Sequence, residues 1–452
     1  MRPSIHNPEI CLNMSVPQWQ PAAYNPLPML RTILSLVTSV WLIAAIALTA
    51  RVAFVWHQQR LIPHQVLATV PFDHEAGNIA LALSERRGFS DVFRKPTGPT
   101  AWLAPVYPYL LAGIFRLFGA LTFPAFLAAV SLNCLFSVAT CFPLFFVARR
   151  IGGIAVAALT TWLWALYPQG IMMPFEWVWD TSLSVLLATT ILWATLALRE
   201  STKTRNCVAY GILWGVALLT NPALGVLLPF LLLWLAQSHS SAAKPSWKKP
   251  SLAAAIAVLC CLPWTIRNYA AFHRFIPLRS NFAFELWLGN NNIFDEHAVG
   301  GIQRITRFGE IRLYSQLGET AFMQDKQRLA WKFIRTHPAL EIRLIAHRIT
   351  ATWMGTETPL RDFLATDSWL IRGIFLCNFL LTVGTIAGMA ILFLRRSPFA
   401  IPVAAVPLLF PLVYYATHTS LRYRHPMDPT LLLLAAIAIV SAFRRRPVNF
   451  IQ

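Results

Sequence analysis

The chain has 452 residues, of which 56% are hydrophobic and only 13% charged, and it includes 17 Trp and 30 Phe. This composition lies outside the range of soluble globular proteins and excludes a soluble enzyme or binding module. The net charge of +19 would suit a nucleic-acid-binding protein, but the Lys and Arg residues form short clusters between apolar segments and no single basic surface. We therefore expect an integral membrane protein without a nucleic-acid partner.

Apolar segments of about 17 to 25 residues recur along the chain, and each is long enough to cross the roughly 30 Å hydrocarbon layer as a helix. Residues 1–28 are polar and Pro-rich and are predicted to form a flexible cytoplasmic tail, and residues 444–452 a basic cytoplasmic tail. Residues 29–443 are predicted to form one all-α polytopic domain. Its ten predicted spans are 31–56, 124–148, 151–171, 180–198, 207–220, 222–237, 251–267, 369–394, 398–416 and 427–443.

With these spans, the basic clusters all fall on one side of the membrane, which the positive-inside rule makes cytoplasmic. They are Arg149–Arg150, Arg199–Arg205, Lys244 with Lys248 and Lys249, Arg395–Arg396 and Arg444–Arg446. The seven Cys residues lie in or beside apolar segments or in the first tail, so no disulfide framework is predicted. We expect a multi-pass protein of the cytoplasmic (inner) membrane.

The segment AWLAPVYPYLLAGIFRLFGAL, which begins at Ala101, is apolar enough to suggest an eleventh span. An extra span would export the later basic clusters, and Pro105, Pro108 and Arg116 do not suit a straight helix in lipid. We predict an interfacial or re-entrant helix instead. Two large outer loops then remain, 57–123 and 268–368, and the helical pattern of GETAFMQDKQRLAWKFIRTHP in the second predicts a small cap over the outer end of the bundle.

Acidic residues collect at two points on the predicted outer side. Asp73 and Glu75 flank a histidine in PFDHEAGNIALAL, and Glu176 and Asp180 lie in MMPFEWVWDTSLSVLL at the mouth of a span. A carboxylate near hydrocarbon is costly and tends to be functional, so two acidic sites beneath one cap predict an active site that faces the lipid headgroups. The alternative for Asp180 is a capping role at the helix that begins with Thr181.

Four motifs occur in a recognisable order: the acidic motif, WLAPVYPYLLAGIFRLFG, PWTIRNYAAFHRFIPLRSNFAFELWLGNN from Pro263, and RYRHPMDPTLLLLAA from Arg422. Together, from about Leu30 to Ala442, they resemble the GT-C superfamily of membrane glycosyltransferases. The resemblance is to bacterial relatives of the protein O-mannosyltransferases and of the lipid A aminoarabinose transferase. It implies inverting transfer of a hexose or pentose from a polyprenyl-phosphate donor to a hydroxyl acceptor, which could be a glycan, a lipid or a protein, at the outer face of the membrane.

The resemblance places a catalytic base on the first outer loop, at Asp73 or Glu75, and a second acidic position at Asp180. Alignment on Asn78-Ile79-Ala80 favours Asp73, whereas the helical register leaves Glu75 equally open. Where relatives have a basic residue and in some cases a metal-binding Glu before the Pro-rich motif, this chain has Leu103 and Ala104. A divalent metal is therefore not supported by the motifs, and no cofactor is predicted.

The motifs also supply the candidate residues for binding the donor phosphate and the substrates, with membrane lipids as further partners. Arginine suits phosphate oxygens because its planar guanidinium presents several N–H donors, although an arginine at the end of a span can simply reach the interface. The candidates are Glu176, Arg94, Lys95, Tyr107, Arg267, Asn268, Arg422, Arg424 and His425.

The alternative function is a transporter or flippase of lipid-linked sugars. Such proteins commonly contain internal repeats and paired broken helices with charges near the middle of the bilayer. The sequence shows no repeat of this kind, and its acidic residues fall at one membrane surface. We therefore favour the enzyme.

Overall fold

A computed structural model describes residues 35–201, 203–237, 246–291, 309–355 and 369–443. These residues form helices and connecting loops, with one isolated β-bridge between Ser90 and Pro99. The expectation of an all-α fold is confirmed. The predicted tails at 1–28 and 444–452 lie outside the described residues.

Between residues 40 and 200, a part of the chain that the structure describes, the chain folds into eight α-helices. They are α1 (Val40–Leu61), α2 (His64–Thr69), α3 (Glu75–Ser84), α4 (Val106–Phe118), α5 (Phe123–Ala139), α6 (Cys141–Leu166), α7 (Pro168–Glu176) and α8 (Thr181–Glu200). A 3₁₀ turn, Val70–Phe72, leads from α2 towards α3.

The described part of the second half adds a further set of helices, some long and apolar and some short. They are α9 (Thr204–Leu218), α10 (Leu227–Ala236), α11 (Lys248–Phe272), α12 (Phe282–Gly289), α13 (Glu319–Thr336), α14 (Pro338–Met354), α15 (Trp369–Leu394), α16 (Ala400–Leu409), α17 (Leu412–Ala416), α18 (Leu421–Arg424) and α19 (Asp428–Phe443). Helices α12 to α14 lie in the second outer loop, and we refer to them as the cap.

Within the described residues, six helical stretches are long and apolar enough to cross a membrane. They are Val40–Leu61, Phe123–Leu166, Thr181–Glu200, Lys248–Phe272, Phe375–Leu394 and Leu421–Phe443. Three shorter apolar stretches, Val106–Phe118, Pro222–Ala236 and Ala400–Ala416, accompany them. The described parts of all ten predicted spans are largely helical, but helix lengths alone do not establish the number ten.

The longest stretch, Phe123–Leu166, is interrupted at Gly153, where φ is 78°. This left-handed conformation is accessible to glycine and costly for other residues, so it ends one helical segment and starts the next. The break lies close to the boundary that was predicted between the spans 124–148 and 151–171.

Helix α4 is the segment that could have been an eleventh span. Its 13 residues correspond to a length of about 20 Å, which is too short for a hydrocarbon layer of roughly 30 Å. It packs between α3 and α5, and Arg116 Nη2 donates a hydrogen bond of 2.8 Å to the carbonyl of Leu83 at the end of α3. This short, laterally packed helix fits the predicted interfacial position.

Several basic clusters meet at one end of the bundle. Arg150 is ion-paired with Glu200, and its guanidinium lies 5.7 Å from the ring centroid of Phe399. Lys249 Nζ donates hydrogen bonds of 3.3 Å to the carbonyls of Leu198 and Arg199. The described loops around Arg150, Arg199 and Lys249, which were predicted to share one side, are therefore close together in space.

A fully buried arginine connects α1 to α6 inside the bundle. Arg51 Nε donates to Ser137 Oγ at 2.9 Å, and Nη1 donates to the carbonyls of Ala47 at 3.0 Å and Ala165 at 3.1 Å. Ala165 lies in the last turn of α6, where the backbone carbonyls receive no hydrogen bond from an N–H group of the same helix. Arg51 thus satisfies polar groups that the apolar interior would otherwise leave unpaired.

The cap is fastened to the first outer loop by one buried carboxylate. Glu319, the first residue of α13, accepts hydrogen bonds from Thr100 Oγ1 at 2.5 Å, Ala101 N at 2.8 Å, Ser280 Oγ at 2.6 Å and Tyr314 Oη at 2.7 Å. A buried charge with four donors is well compensated. This network joins the two outer loops and fixes where the cap lies.

Candidate active site

A cavity of about 460 Å³ lies where the first outer loop, the start of α8 and the cap meet. Its charged side chains are five carboxylates and two guanidiniums, and two imidazoles accompany them. These residues are Asp73, Glu75, Asp180, Glu285, Glu310, Arg279, Arg422, His74 and His418. The two predicted acidic sites therefore share one cavity with two cations.

The first outer loop contributes Asp73 and Glu75 because a helix begins between them. Asp73 follows the 3₁₀ turn, His74 is the N-cap of α3, and Glu75 is its first residue. The Nδ1 atom of His74 accepts a hydrogen bond from Gly77 N at 3.3 Å, and its ring lies 4.2 Å from that of Trp179. Both carboxylates thus lie at the N-terminus of α3, the positive end of its helix dipole.

Asp73 is also close to a basic residue of the same loop. Its Oδ1 atom lies 3.7 Å from Nη1 of Arg94, and both side chains are about two-fifths exposed, at 42% and 40%. An ion pair this exposed is weak, but it holds a cation beside the carboxylate. Lys95 is exposed and is not among the residues that line the cavity.

Asp180 lies immediately before α8, but it makes no capping hydrogen bond to the first turn, which argues against the capping alternative. Instead, Ser184 Oγ donates to its Oδ2 at 3.4 Å, and Asn221 Nδ2 donates to Ser184 Oγ at 3.2 Å. Burial raises the pKa of Asp180 to about 6, while the nearby charges of Arg279 and Arg422 oppose the rise.

Arg422 is a cation that aromatic rings hold in place. Its guanidinium lies 4.5 Å from the ring centroid of Trp177, 4.9 Å from Trp179 and 4.8 Å from Tyr423, and Nη2 donates to Tyr423 Oη at 2.8 Å. Among the described residues this is its one hydrogen bond. Most of its N–H groups therefore remain available for an anion.

Arg279, in the loop before α12, is a second cation of the cavity that the sequence did not single out. It lies close enough to Asp180 and Glu285 that its charge opposes the rise in the pKa of both carboxyls. Within the described ranges its guanidinium makes no hydrogen bond. Arg279 and Arg422 together form a positively charged part of the lining.

Glu285, from α12 of the cap, is a further carboxylate of the cavity, and it was not predicted. Asn281 Nδ2 donates to its Oε1 at 2.8 Å, and its Oε2 lies 3.5 Å from Nδ1 of His418. Burial raises the pKa of Glu285, and the guanidiniums of Arg279 and Arg422 act in the opposite direction. A single acid within the apolar helix FAFELWLG is the sequence signal that could have identified it.

Two predicted substrate-binding residues, Arg267 and Asn268, have structural partners instead. Arg267 donates hydrogen bonds of 2.6 Å to the carbonyls of Thr100 and Phe89. Asn268 is fully buried and donates to the carbonyl of Ile276 at 3.0 Å. Neither lines the cavity. These contacts favour a role for Arg267 in holding the first outer loop against α11, and for Asn268 in fixing the loop that follows α11.

Arg424 and His425 also lie outside the cavity lining, buried against α19. Arg424 Nε lies 3.0 Å from Asp428 Oδ1, and His425 Nδ1 lies 2.9 Å from Asp428 Oδ2. One carboxylate thus accepts both basic side chains inside the bundle. This arrangement favours a structural role for the pair and leaves Arg422 as the arginine of this motif that reaches the cavity.

The remaining candidates divide between the cavity and the surface. Tyr107 lines the cavity, and its hydroxyl donates to Asn133 Oδ1 at 3.1 Å. Glu176 is exposed at the end of α7 and does not line it. Across the described ranges, no group of three His, Cys, Asp or Glu residues is placed to hold a metal ion, so we derive no step through a metal.

Comparisons with known proteins agree with this architecture. Residues 99–266 match the sequence model of the dolichyl-phosphate-mannose-protein mannosyltransferase family. No curated protein sequence matches the chain.

Solved structures with a similar fold include the Archaeoglobus fulgidus oligosaccharyltransferase. Its complex with zinc and sulfate superposes with a TM-score of 0.52 and 15% identity, over 89% of this chain and 49% of that one. Its apo form gives a TM-score of 0.50 and 14% identity, over 89% and 50%. This chain therefore spans about half the length of the archaeal protein.

ArnT from Cupriavidus metallidurans, bound to undecaprenyl phosphate, overlaps less well, with a TM-score of 0.38 and 14% identity over 83% of this chain and 76% of that one. The family match and the archaeal structures confirm the GT-C-like fold and the resemblance to GT-C membrane glycosyltransferases that the motifs predicted.

Proposed function

We propose that this GT-C-like membrane protein is a glycosyltransferase that moves a sugar from a polyprenyl-phosphate donor to a hydroxyl acceptor. The observation that carries the proposal is the shared cavity, in which carboxylates that can accept a proton face guanidiniums that can bind a phosphate. The similarity of residues 99–266 to the dolichyl-phosphate-mannose-protein mannosyltransferases supports a lipid-linked donor.

The acceptor hydroxyl needs a general base, and the first outer loop provides two candidates. In the proposed step, the acceptor oxygen attacks C1 of the donor sugar and its proton passes to the carboxylate of Asp73 or Glu75. Both residues line the cavity, and both lie at the N-terminus of α3. Comparison of single variants separates the two.

The departing phosphate needs cations. As the new bond to C1 forms, the bond between C1 and the phosphate oxygen breaks, and its electron pair stays on the phosphate. Arg422 and Arg279 would bind this developing charge with guanidinium N–H groups that have few partners in the described residues. Because the attack on C1 and the departure of the phosphate occur in one displacement, the sugar is transferred to the acceptor with inverted configuration at C1.

Asp180 and Tyr107 would complete the acceptor side of the cavity. The hydrogen-bonded series from Asn221 through Ser184 orients the Asp180 carboxylate, which can then accept a hydrogen bond from the incoming hydroxyl. Tyr107 is fixed by Asn133 and contributes a phenol to the lining. In this proposal Arg94 is a supporting residue, because its ion pair holds Asp73 in place.

The orientation follows from charge. Basic loops meet at the end of the bundle where Arg150 and Lys249 lie, so we assign this end to the cytoplasm and the cavity to the outer side of the cytoplasmic membrane. Lipid molecules would surround the exposed apolar helices, and a polyprenyl chain would reach the cavity from the bilayer. The acceptor is a hydroxyl compound of the cell envelope.

The test is sugar transfer by the purified protein in nanodiscs. Radiolabelled polyprenyl-phosphate sugars and a membrane extract as acceptor source would be incubated with wild type, Asp73→Asn, Glu75→Gln and the double variant. Loss of the general base should lower the transfer rate about 10²- to 10⁴-fold. The matched control is Glu85→Gln, because Glu85 lies at the other end of α3 and pairs with Arg87 at the surface.

Transfer at the wild-type rate by a correctly folded double variant would overturn the assignment of the base. Movement of the labelled donor between the leaflets of proteoliposomes, without transfer by any preparation, would instead favour the transporter. The two alternatives are thus separated by where the label goes.

A further inference from the structure

We propose that Glu285, Asn281 and His418 form the subsite that binds the hydroxyl groups of the donor sugar, and that this subsite selects an uncharged sugar over one that carries a carboxylate. The inference rests on the proposed function and adds a substrate class to it. All three residues line the cavity, on the part of its wall that the cap and the turn before α18 contribute.

Asn281 has an acceptor atom that the described residues leave unused. The side chain of Asn281 is 1% exposed, its Nδ2 donates to Glu285 Oε1 at 2.8 Å, and its Oδ1 is buried without a hydrogen-bond partner. A buried amide oxygen without a donor is costly. Asn281 lines the cavity, so a rotation of its amide towards the cavity would let a hydroxyl group of a bound sugar supply that donor.

The carboxylate of Glu285 is held in a fixed position by two neighbouring side chains. Asn281 holds Oε1, His418 lies beside Oε2 at 3.5 Å, and the side chain is 24% exposed. Each carboxylate oxygen can accept more than one hydrogen bond. Glu285 can therefore accept hydrogen bonds from neighbouring hydroxyls of one sugar ring, as an ionised carboxylate does strongly.

His418 connects this subsite to the cations that would bind the phosphate. His418 Nε2 lies 3.3 Å from Tyr423 Oη, and Tyr423 Oη accepts a hydrogen bond of 2.8 Å from Arg422. One imidazole and one phenol thus separate Glu285 from a guanidinium that is assigned to the phosphate. A sugar is joined directly to that phosphate in the donor, so we assign the subsite to the donor sugar and not to the acceptor.

Charge favours a neutral sugar at this position. Among the described lining residues, two of the five carboxylates, Asp73 and Glu310, are ion-paired with Arg94 and Lys326. The other three, Glu75, Asp180 and Glu285, stand against Arg279 and Arg422, which the phosphate occupies in the proposed mechanism. A further carboxylate on the sugar would have to enter beside Glu285, where like charges repel in a partly desolvated site. Neutral hydroxyls are favoured at the same position.

The experiment measures the binding of short-chain donors to the full-length protein in nanodiscs. The probes are farnesyl phosphate, its esters with glucose, mannose and galactose, and its ester with glucuronic acid. Affinities would be compared among wild type, Glu285→Gln and Asn281→Ser. Asp325→Asn is the matched control, because this residue also lies on the cap but pairs with Arg328 away from the cavity.

We expect wild type to bind its preferred neutral ester at least tenfold more tightly than the glucuronic acid ester. Glu285→Gln should lower affinity for the neutral ester about tenfold or more, since a hydrogen bond to a charged group is lost. The ratio of the affinities for the neutral ester and for the glucuronic acid ester should also be smaller in this variant than in wild type. The affinity of the variant for farnesyl phosphate should stay within about twofold of the wild-type value. Asn281→Ser should act in the same direction, and Asp325→Asn should bind every probe like wild type.

Equal losses for the neutral ester and for farnesyl phosphate would overturn the subsite, because Glu285 would then act through Arg422 or through the fold. Unchanged affinity for the neutral ester in both variants would also overturn it. Failure of the proposed function is distinguishable: wild type would then transfer no sugar while the Glu285-dependent preference in binding persisted. Normal transfer with no such preference would remove only this inference.

Discussion

Replacing Asp180 with Asn should make the protein more stable and less active. Burial raises the pKa of this carboxyl from its ordinary value of 3.8 to about 6, so the folded state holds the proton more tightly than the unfolded chain. The ionised carboxylate therefore destabilises the fold. This destabilisation is absent below the unfolded pKa, grows as the pH rises from about 3.8 to about 6, and is complete above that range.

The magnitude follows from the shift. About two pKa units at 1.36 kcal/mol each give about 3 kcal/mol at pH 8 and about half of that at pH 5. Asp180→Asn removes the charge and keeps an oxygen that can accept from Ser184. Its unfolding free energy should exceed that of wild type by up to these amounts, which corresponds to a few degrees in the thermal midpoint at pH 8 and less at pH 5.

The assay is thermal unfolding in detergent at both pH values, followed by sugar transfer by the same preparations. Wild-type transfer should fall as the pH drops through about 6, and this acidic limb should be absent from the residual activity of Asp180→Asn. A lower thermal midpoint for the variant at pH 8 would refute the reasoning. It would mean that the Asp180 carboxylate stabilises the start of α8, since replacing such a capping residue lowers the unfolding free energy by about 1 kcal/mol. Equal shifts at both pH values would also contradict it.

Three further predictions concern other parts of the structure. Arg422→Gln should lower sugar transfer about 10- to 100-fold without unfolding the protein, and Arg422→Lys should recover only part of it, because a single ammonium replaces a planar fork; steady-state kinetics test both. Arg51→Met should lower the unfolding free energy by about 3 kcal/mol or more, since several buried acceptors lose their donor; thermal unfolding tests this. Gly289→Ala should weaken donor binding, because a Cβ atom there would collide with the carbonyl of Thr417, next to the cavity; titration with farnesyl phosphate tests it.

Much of the fold was predictable because hydrophobic length is a local property. The apolar segments coincide with helices, and the interfacial assignment of α4 depended on Pro105, Pro108 and Arg116, which are local features too. Boundaries were less accurate. The first span was predicted to end at residue 56, but α1 continues to Leu61. The polar side chains of its last turns do not interrupt the backbone hydrogen bonds of the helix.

The candidate site was predictable in part. The acidic residues of the first outer loop and those just before α8 stood out because carboxylates beside hydrocarbon are rare. The structure brings Asp73, Glu75 and Asp180 into one cavity and leaves Glu176 outside it. Arg279 and His418 were missed because their proximity depends on how the cap and the turn before α18 fold back, which no periodicity encodes. Their neighbours in sequence give no local signal.

The motif that begins at Arg422 shows how spacing could have refined the prediction. Arg424 and His425 precede Asp428 by four and three residues, the spacing at which side chains meet on one side of a helix. Both contact Asp428 in the structure, whereas Arg422 has no acid at that spacing and reaches the cavity. An arginine without a local partner was the better candidate for the phosphate.

The most direct test of the account is the stereochemical course of a single sugar transfer. Purified wild type would be given a polyprenyl-phosphate sugar of known anomeric configuration, with membrane extract as acceptor source, and the product would be examined by NMR. A single displacement should give a glycosidic product with the opposite configuration at C1, together with one equivalent of polyprenyl phosphate. A product with retained configuration would contradict the single displacement, and intact donor recovered from the opposite leaflet, with no product, would contradict the enzyme itself.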